Sequence, residues 1–230
     1  DGQYVIEVCG NWPEVIFWET LILSVVNELY YRSFLKKMNF SAIFTRKEGE
    51  RRLMEKIIIL KQNFLVRFSD FGTRRRFSRE WQEFVIKTLA KELPDQFLGT
   101  SNVLLAMKLG LKPIGTFAHE MYMVVSGVYY GSDKEIRESH NKVLEIWWRE
   151  YGEPYSIALT DTYGTDFFFR DFTYEQARKW RGLRHDSGDP IEFGEKAIVF
   201  YQKHKIDPLT KVLVFSDGLD LETILKIETY

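Results

Sequence analysis

The stretch Gly182-Leu183-Arg184-His185-Asp186-Ser187-Gly188-Asp189-Pro190-Ile191-Glu192 decides the reading of this chain. A short apolar run ends in a cluster of charged and small residues. An N-cap acid, a proline at the first helical position and a glutamate at N3 then mark the start of a helix. This is one strand-loop-helix unit, and four more junctions repeat its first half: Leu65-Val66-Arg67-Phe68 into Ser69-Asp70, Pro113-Ile114-Gly115-Thr116 into Ala118-His119, Ile157-Ala158-Leu159 into Thr160-Asp161, and Val212-Leu213-Val214-Phe215 into Ser216-Asp217. Amphipathic stretches lie between them. Trp81, Phe84, Val85, Thr88 and Leu89 recur at helical spacing, as do Ile136, His140, Val143, Leu144, Trp147 and Trp148. Strands alternating with helices predict a mostly parallel α/β fold, either a doubly wound sheet or an (α/β) barrel.

Composition narrows the partners. Hydrophobic residues at 45% supply a real core and exclude a disordered chain. With 32 Lys+Arg against 33 Asp+Glu, the summed field steers neither nucleic acid nor an anionic membrane toward the protein, so cationic chemistry has to be local. Cys9 is the only cysteine, which excludes an internal disulfide framework and suits a reducing cytosol. No run reaches the roughly 18 apolar residues of a membrane span. The opening Asp1-Gly2 lacks the basic start of a signal peptide. A cytoplasmic protein with no nucleic-acid or membrane partner is expected.

The ends of the chain carry their own signals. Tyr4, Ile6 and Val8 alternate as a strand lacking an upstream partner, and Leu221, Ile224 and Leu225 begin a helical stripe that stops at Tyr230. The chain therefore reads as a central piece of a longer protein, and five strand units are too few to close a barrel unaided.

In an α/β protein the strand C-termini converge on one face, so junction residues distant in sequence meet in space. The convergent set is Asp70, Phe71, Arg74, Ser101, His119, Asp161, Arg184, Asp186 and Asp217. Arginine forks bind carboxylate and phosphate, while carboxylates accept ribose hydroxyls or hold magnesium. In Asp70-Phe71-Gly72-Thr73-Arg74, a flat ring beside a cation suits an aromatic acid. His140, on an apolar stripe, reads as structural, and His204, between Lys203 and Lys205, as a surface residue. Asp189 and Asp220 read as helix caps, and the tryptophans as packing. From the residues alone, the chain is an α/β enzyme with an anion- and sugar-phosphate-binding site.

Six ordered strings carry a family resemblance: RFSDFGTRRRFS (67–78), FLGTSN (97–102), KPIGTFAHE (112–120), ALTDTYGTD (158–166), LRHDSGDP (183–190) and VFSDGLD (214–220). Together, and over the chain from roughly Trp12 onward, they resemble the nicotinate phosphoribosyltransferases, type II phosphoribosyltransferases of NAD salvage. The resemblance implies conversion of nicotinate and phosphoribosyl pyrophosphate to nicotinate mononucleotide and pyrophosphate, with ATP hydrolysis coupled through a phosphohistidine and Mg2+ as cofactor. It implies a homodimer with shared active sites. It also implies an irregular (α/β) barrel, incomplete here, over residues 64–230, and part of an N-terminal mixed α/β domain with connecting helices over 1–63.

By the same resemblance, His119 is the phosphorylated residue. Phe71 stacks on the pyridine, with Arg74 beside the base. Ser101 stands where nicotinamide-using relatives place an acid, so a neutral hydroxyl there favours nicotinate. Arg184 holds the base, and Asp186, Asp217 and Gly218 contact ribose and phosphate. Asp161 matches an acid near the histidine, where it can orient the imidazole. A nicotinamide phosphoribosyltransferase, or a non-catalytic barrel fragment, are the alternatives.

Overall fold

Six of the described α-helices have their starts set by short polar side chains. Ser78, Asn102, Ser132, Thr173, Asp189 and Asp220 each accept a backbone N–H from the first turn of the helix that follows, a contact worth about 1 kcal/mol. Asp189 and Asp220 are thus the caps that the sequence suggests. The computed structural model describes residues 3, 5–116 and 118–230. Its contacts divide the chain into two compact units, one ending at Gly115 and the other spanning Thr116–Tyr230.

The first unit runs α1 (Trp12–Val15), α2 (Trp18–Lys37), α3 (Ala42–Gln62), β1 (Phe68–Asp70), α4 (Arg79–Glu92), β2 (Phe97–Thr100) and α5 (Val103–Leu109). β1 and β2 pair in parallel, with a register shift between Phe68 and Asp70. Leu53, Ile57 and Leu60 of α3 and Ile86 and Leu89 of α4 supply the buried side chains beside them. The buried Gln96 amide lies within hydrogen-bond distance of the Leu60, Asn63 and Val66 carbonyls and ties the end of α3 to the strands. α2 carries apolar side chains around its whole circumference, interspersed with charged ones. It buries only Ser24 and leaves Trp18, Leu21, Val25, Leu29 and Phe34 exposed.

Several local expectations need correction in this unit. The run from Leu65 to Phe68 forms a strand only from Phe68 onward, and Leu65 is exposed. The expected strand at Pro113–Thr116 is a single bridge from Pro113 to Thr100, because proline has no N–H to continue a ladder. The strand beside β1 is β2, masked in sequence by Gly99. That glycine has φ +141°, and a Cβ there would fall 2.2 Å from the Lys112 carbonyl oxygen. Residues 5–9 form no strand, and Val5, Ile6 and Val8 are exposed; Tyr4 lies outside the described residues. The buried face of α4 is Gln82, Ile86 and Leu89, one residue off the apolar stripe apart from Leu89. Trp81 and Phe84 are instead covered by the Arg46 guanidinium, 3.9 Å from the Phe84 ring centre.

The second unit runs α6 (His119–Val128), α7 (Asp133–Tyr151), β3 (Ile157–Leu159), α8 (Thr165–Asp171), α9 (Tyr174–Lys179), β4 (Gly182–His185), α10 (Pro190–Lys203), β5 (Val212–Phe215) and α11 (Leu221–Thr229). The three strands are parallel in the order β3-β4-β5, with β4 central. Leu159 and Leu183 are fully buried among Tyr122, Leu144, Phe168 and Trp180. His204 is half-buried at the end of α10, 4.6 Å from the Phe200 ring, so the surface reading gives way to packing.

His140 belongs to this core. It is 2% exposed, stacks on Tyr122 at 5.0 Å and meets the rings of Phe167 and Phe168 edge-on. Its Nδ1 has no hydrogen-bond partner among the described residues. Burial pushes its pKa down from 6.5 to about 4, against a smaller upward pull from Asp171. Between these two pH values the unfolded chain binds the proton that the folded chain refuses, so folding free energy is lost as pH falls through that window. The loss reaches roughly 3 kcal/mol. His140→Phe is expected to flatten the pH 4–6.5 limb of stability measured by urea unfolding; an unchanged limb would refute this.

Candidate active site

The singled-out residues fall into two groups, one in each unit. In the first unit they lie on the segments that leave β1 and β2. Asp70 closes β1, and its carboxylate turns inward, accepting from the Gly72 N–H (3.1 Å), the Thr100 hydroxyl (2.8 Å) and the Gln82 amide (3.1 Å). It therefore serves as a structural anchor for the segment after it. Phe71, next along, presents its ring to solvent at 51% exposure. Arg74 pairs with Glu19 of α2 at 2.6 Å, and its carbonyl accepts from Asn27. Ser101 is half-buried, and its N–H donates to the Asp70 carbonyl at 2.8 Å.

In the second unit, the C-terminal ends of β3, β4 and β5 and the first residue of α6 form a tighter cluster. The His119 ring is held at both nitrogens: Nε2 lies 3.0 Å from Asp186 Oδ2 and Nδ1 3.0 Å from Thr162 Oγ1. A carboxylate can only accept, so in the neutral ring the proton sits on Nε2 and Nδ1 accepts from the threonine hydroxyl. The Arg184 guanidinium lies 2.7 Å from the same Asp186 oxygen, its Nε donates to Ser216 Oγ, and Ser216 donates in turn to the other Asp186 oxygen. Burial works against the charge on Asp186. The hydrogen bonds from Arg184 and Ser216, the Arg184 charge and the His119 contact outweigh it and hold the carboxyl below the usual range.

Asp161 follows β3. One of its oxygens accepts from Ser187. The other, Oδ1, is buried without a hydrogen-bond partner among the described residues and lies 3.9 Å from His119 Nε2. Beneath the cluster, the Tyr122 hydroxyl donates to the Leu159 carbonyl at the end of β3. Burial foremost, with the charge of Asp161, pushes its pKa well above the ordinary tyrosine value, so it stays a donor.

The structure thus joins His119, Arg184 and Asp186 directly and places Asp161 beside them. Asp217 and Gly218 are exposed past β5, and among the described residues Asp217 makes no hydrogen bond or ion pair with the cluster. Its neighbour Ser216 does so instead. Gly218 has φ +33°, a left-handed conformation that glycine adopts without strain. Thr162, Ser187 and Ser216 were missed in the sequence reading, although their signal is visible: each junction acid has a hydroxyl residue as its neighbour.

An imidazole from the start of α6, with two acids and a guanidinium from the ends of parallel strands, makes a cluster of the kind that binds anionic, hydroxyl-bearing ligands in α/β proteins. Residues 66–230 match the model of the nicotinate phosphoribosyltransferase (NAPRTase) family. The nicotinate phosphoribosyltransferase of Chromobacterium violaceum is 43% identical, covering 99% of this chain and 56% of its own length. That of Neisseria gonorrhoeae is 45% identical, covering 100% and 56%. The crystal structure of nicotinate phosphoribosyltransferase from Porphyromonas gingivalis superposes with a TM-score of 0.85 at 36% identity, covering 96% of this chain and 54% of that one. The chain belongs to the nicotinate phosphoribosyltransferase family, and it spans just over half the length of these relatives.

Proposed function

We propose that the protein transfers a phosphoribosyl group from phosphoribosyl pyrophosphate to nicotinate, forming nicotinate mononucleotide and pyrophosphate, with ATP hydrolysis coupled through phosphorylated His119. The observation that carries this reading is the cluster in which Asp186 binds both His119 and Arg184. In the transfer, the pyridine nitrogen forms a bond to ribose C1 as the bond from C1 to the pyrophosphate oxygen breaks. Positive charge develops on the ribose and negative charge on the leaving group. Asp186 and Asp161 stabilise the first, and Arg184 orients the anionic ligand. A phosphoryl group on His119 adds about two negative charges beside them, changing the affinity of the site for its ligands and so coupling ATP to transfer.

Mg2+ fits this reading without a ready-made cage. Among the described residues no cluster of three His, Cys, Asp or Glu side chains is arranged for a metal ion. Mg2+ commonly rides on substrate phosphates and takes only one or two carboxylates from the protein. The unpartnered Asp161 Oδ1 is the oxygen suited to it. The bound ion would take up leaving-group charge.

Phe71, Arg74 and Ser101 take the nicotinate, the neutral Ser101 sparing the carboxylate a repulsive neighbour. Asp217 and Gly218 contact ribose or phosphate. Residues 64–230 are most of an irregular (α/β) barrel and residues 1–63 part of a mixed domain. The exposed apolar side chains of α2 support assembly as a homodimer. No described helix is long and apolar enough to cross a membrane.

Labelled ATP is expected to give an acid-labile phosphoryl group on the protein that His119→Asn removes; retained label refutes the residue assignment. Nicotinate offered against nicotinamide at equal concentration is expected to be preferred, and preference for the amide defeats the Ser101 argument.

A further inference from the structure

We propose that Gln82 of α4 is a positioning residue that sets the conformation of the Phe71–Arg74 segment and thereby the affinity for the flat aromatic acid. The inference rests on the reading that this segment takes nicotinate. Gln82 is only 5% exposed, and its amide is engaged at both ends. Nε2 carries two protons and has two acceptors, Asp70 Oδ2 at 3.1 Å and Thr73 Oγ1 at 2.9 Å; Oε1 accepts from Asn102 Nδ2 at 3.4 Å. One side chain therefore joins the end of β1, the turn that carries Arg74 and the segment that leaves β2.

The rest of the network closes around it. Asn102 also reaches Thr73 Oγ1, caps α5 through the Leu105 N–H and donates its own N–H to Thr100 Oγ1. Thr100 and Gly72 complete the shell of Asp70. The Phe71–Arg74 segment has little apolar burial to fix its shape: Phe71, Arg74 and Arg75 are exposed and Gly72 and Thr73 half-buried. Polar contacts decide where the Phe71 ring stands, and Gln82 supplies the buried ones from the helix. The apolar core on the same face of α4, Ile86 and Leu89, uses none of these atoms. Loss of the amide should therefore loosen the segment while leaving the helix packed.

The test compares the protein expressed from its own gene with Gln82→Met, which keeps length and volume but has no amide. Amide hydrogen exchange is read at Gly72, Arg75, Ser101 and Asn102, with Leu93, the residue that ends α4 and is bonded to the Leu89 carbonyl, as the reference. The variant is expected to exchange at least about tenfold faster at the four amides and unchanged at the reference. Its KM for nicotinate rises about 10–100-fold, the size typical of removing a side chain that supports a binding group. Its KM for phosphoribosyl pyrophosphate and its kcat stay within about threefold of the parent. Unchanged exchange at the four amides overturns the proposal. So does faster exchange with both KM values moving together or neither moving, the mark of a merely structural role. A parent protein with no phosphoribosyl transfer would sink the proposed reaction instead, and the exchange result would still decide whether Gln82 holds the segment.

Discussion

Asp186→Asn is expected to lower phosphoribosyl transfer about a hundredfold or more, with the far-ultraviolet dichroism unchanged. The reason is the number of groups that share this carboxylate. Arg184 Nη2 and His119 Nε2 approach the same oxygen at 2.7 and 3.0 Å, and Ser216 donates to the other. The Arg184 side chain is only 12% exposed. An amide in place of the acid removes the carboxylate charge that faces the guanidinium in a dry setting, where water cannot make up the loss. In the proposed reaction it also removes a negative charge from the place where the ribose becomes positive, and losing one preorganised charge of this kind typically costs about 10²–10³ in turnover. His119 meanwhile loses the partner that fixes its proton on Nε2. Steady-state assay of the variant checks this, with transfer within about threefold of the parent as the refuting result.

The second large effect is on the sheet that carries the cluster. Gly182 opens the central strand β4 and pairs with Ile157 on one side and Val212 on the other. A Cβ at this position would fall 1.9 Å from the Val212 carbonyl oxygen, a backbone atom that has no rotamer to retreat into. Gly182→Ala must therefore push β4 and β5 apart, and a destabilisation of about 3 kcal/mol or more is expected in urea unfolding. Because Arg184 lies two residues further along the same strand and Asp186 just past its end, the variant should lose transfer activity out of proportion to the fraction that unfolds. A transition midpoint equal to that of the parent would show that the two strands can move apart without penalty.

The parallel strands of the second unit were legible because each combines an apolar run with a polar junction, and β3, β4 and β5 begin and end close to where those runs do. The Asp161, Arg184 and Asp186 set was legible for the same reason: strand ends meet at one edge of a parallel sheet whatever the sequence distance between them; His119 joins it from the first turn of α6, after a run that forms only a single bridge. β2 was not legible, because Leu98-Gly99 breaks the β-branched pattern and the closeness of Gly99 to the Lys112 carbonyl exists only once the segments are packed. Gln82 was also out of reach. A polar residue on a helix is ordinarily read as solvated, and nothing local says that Asp70, Thr73 and Asn102 will surround it.

The sequence by itself determined the alternation of strands and helices, the caps at Asp189 and Asp220 and the core role of His140, and it singled out the polar side chains of the strand junctions, since each follows from spacing or residue type within a few positions. Only the tertiary structure decided which hydroxyls complete the cluster, that Ser216 rather than Asp217 joins Asp186, and that Asp70 turns inward to anchor its segment. Hydrogen bonds act over about 3 Å. Which groups come that close depends on how strands are registered and helices laid against them, and no single stretch of sequence contains that information.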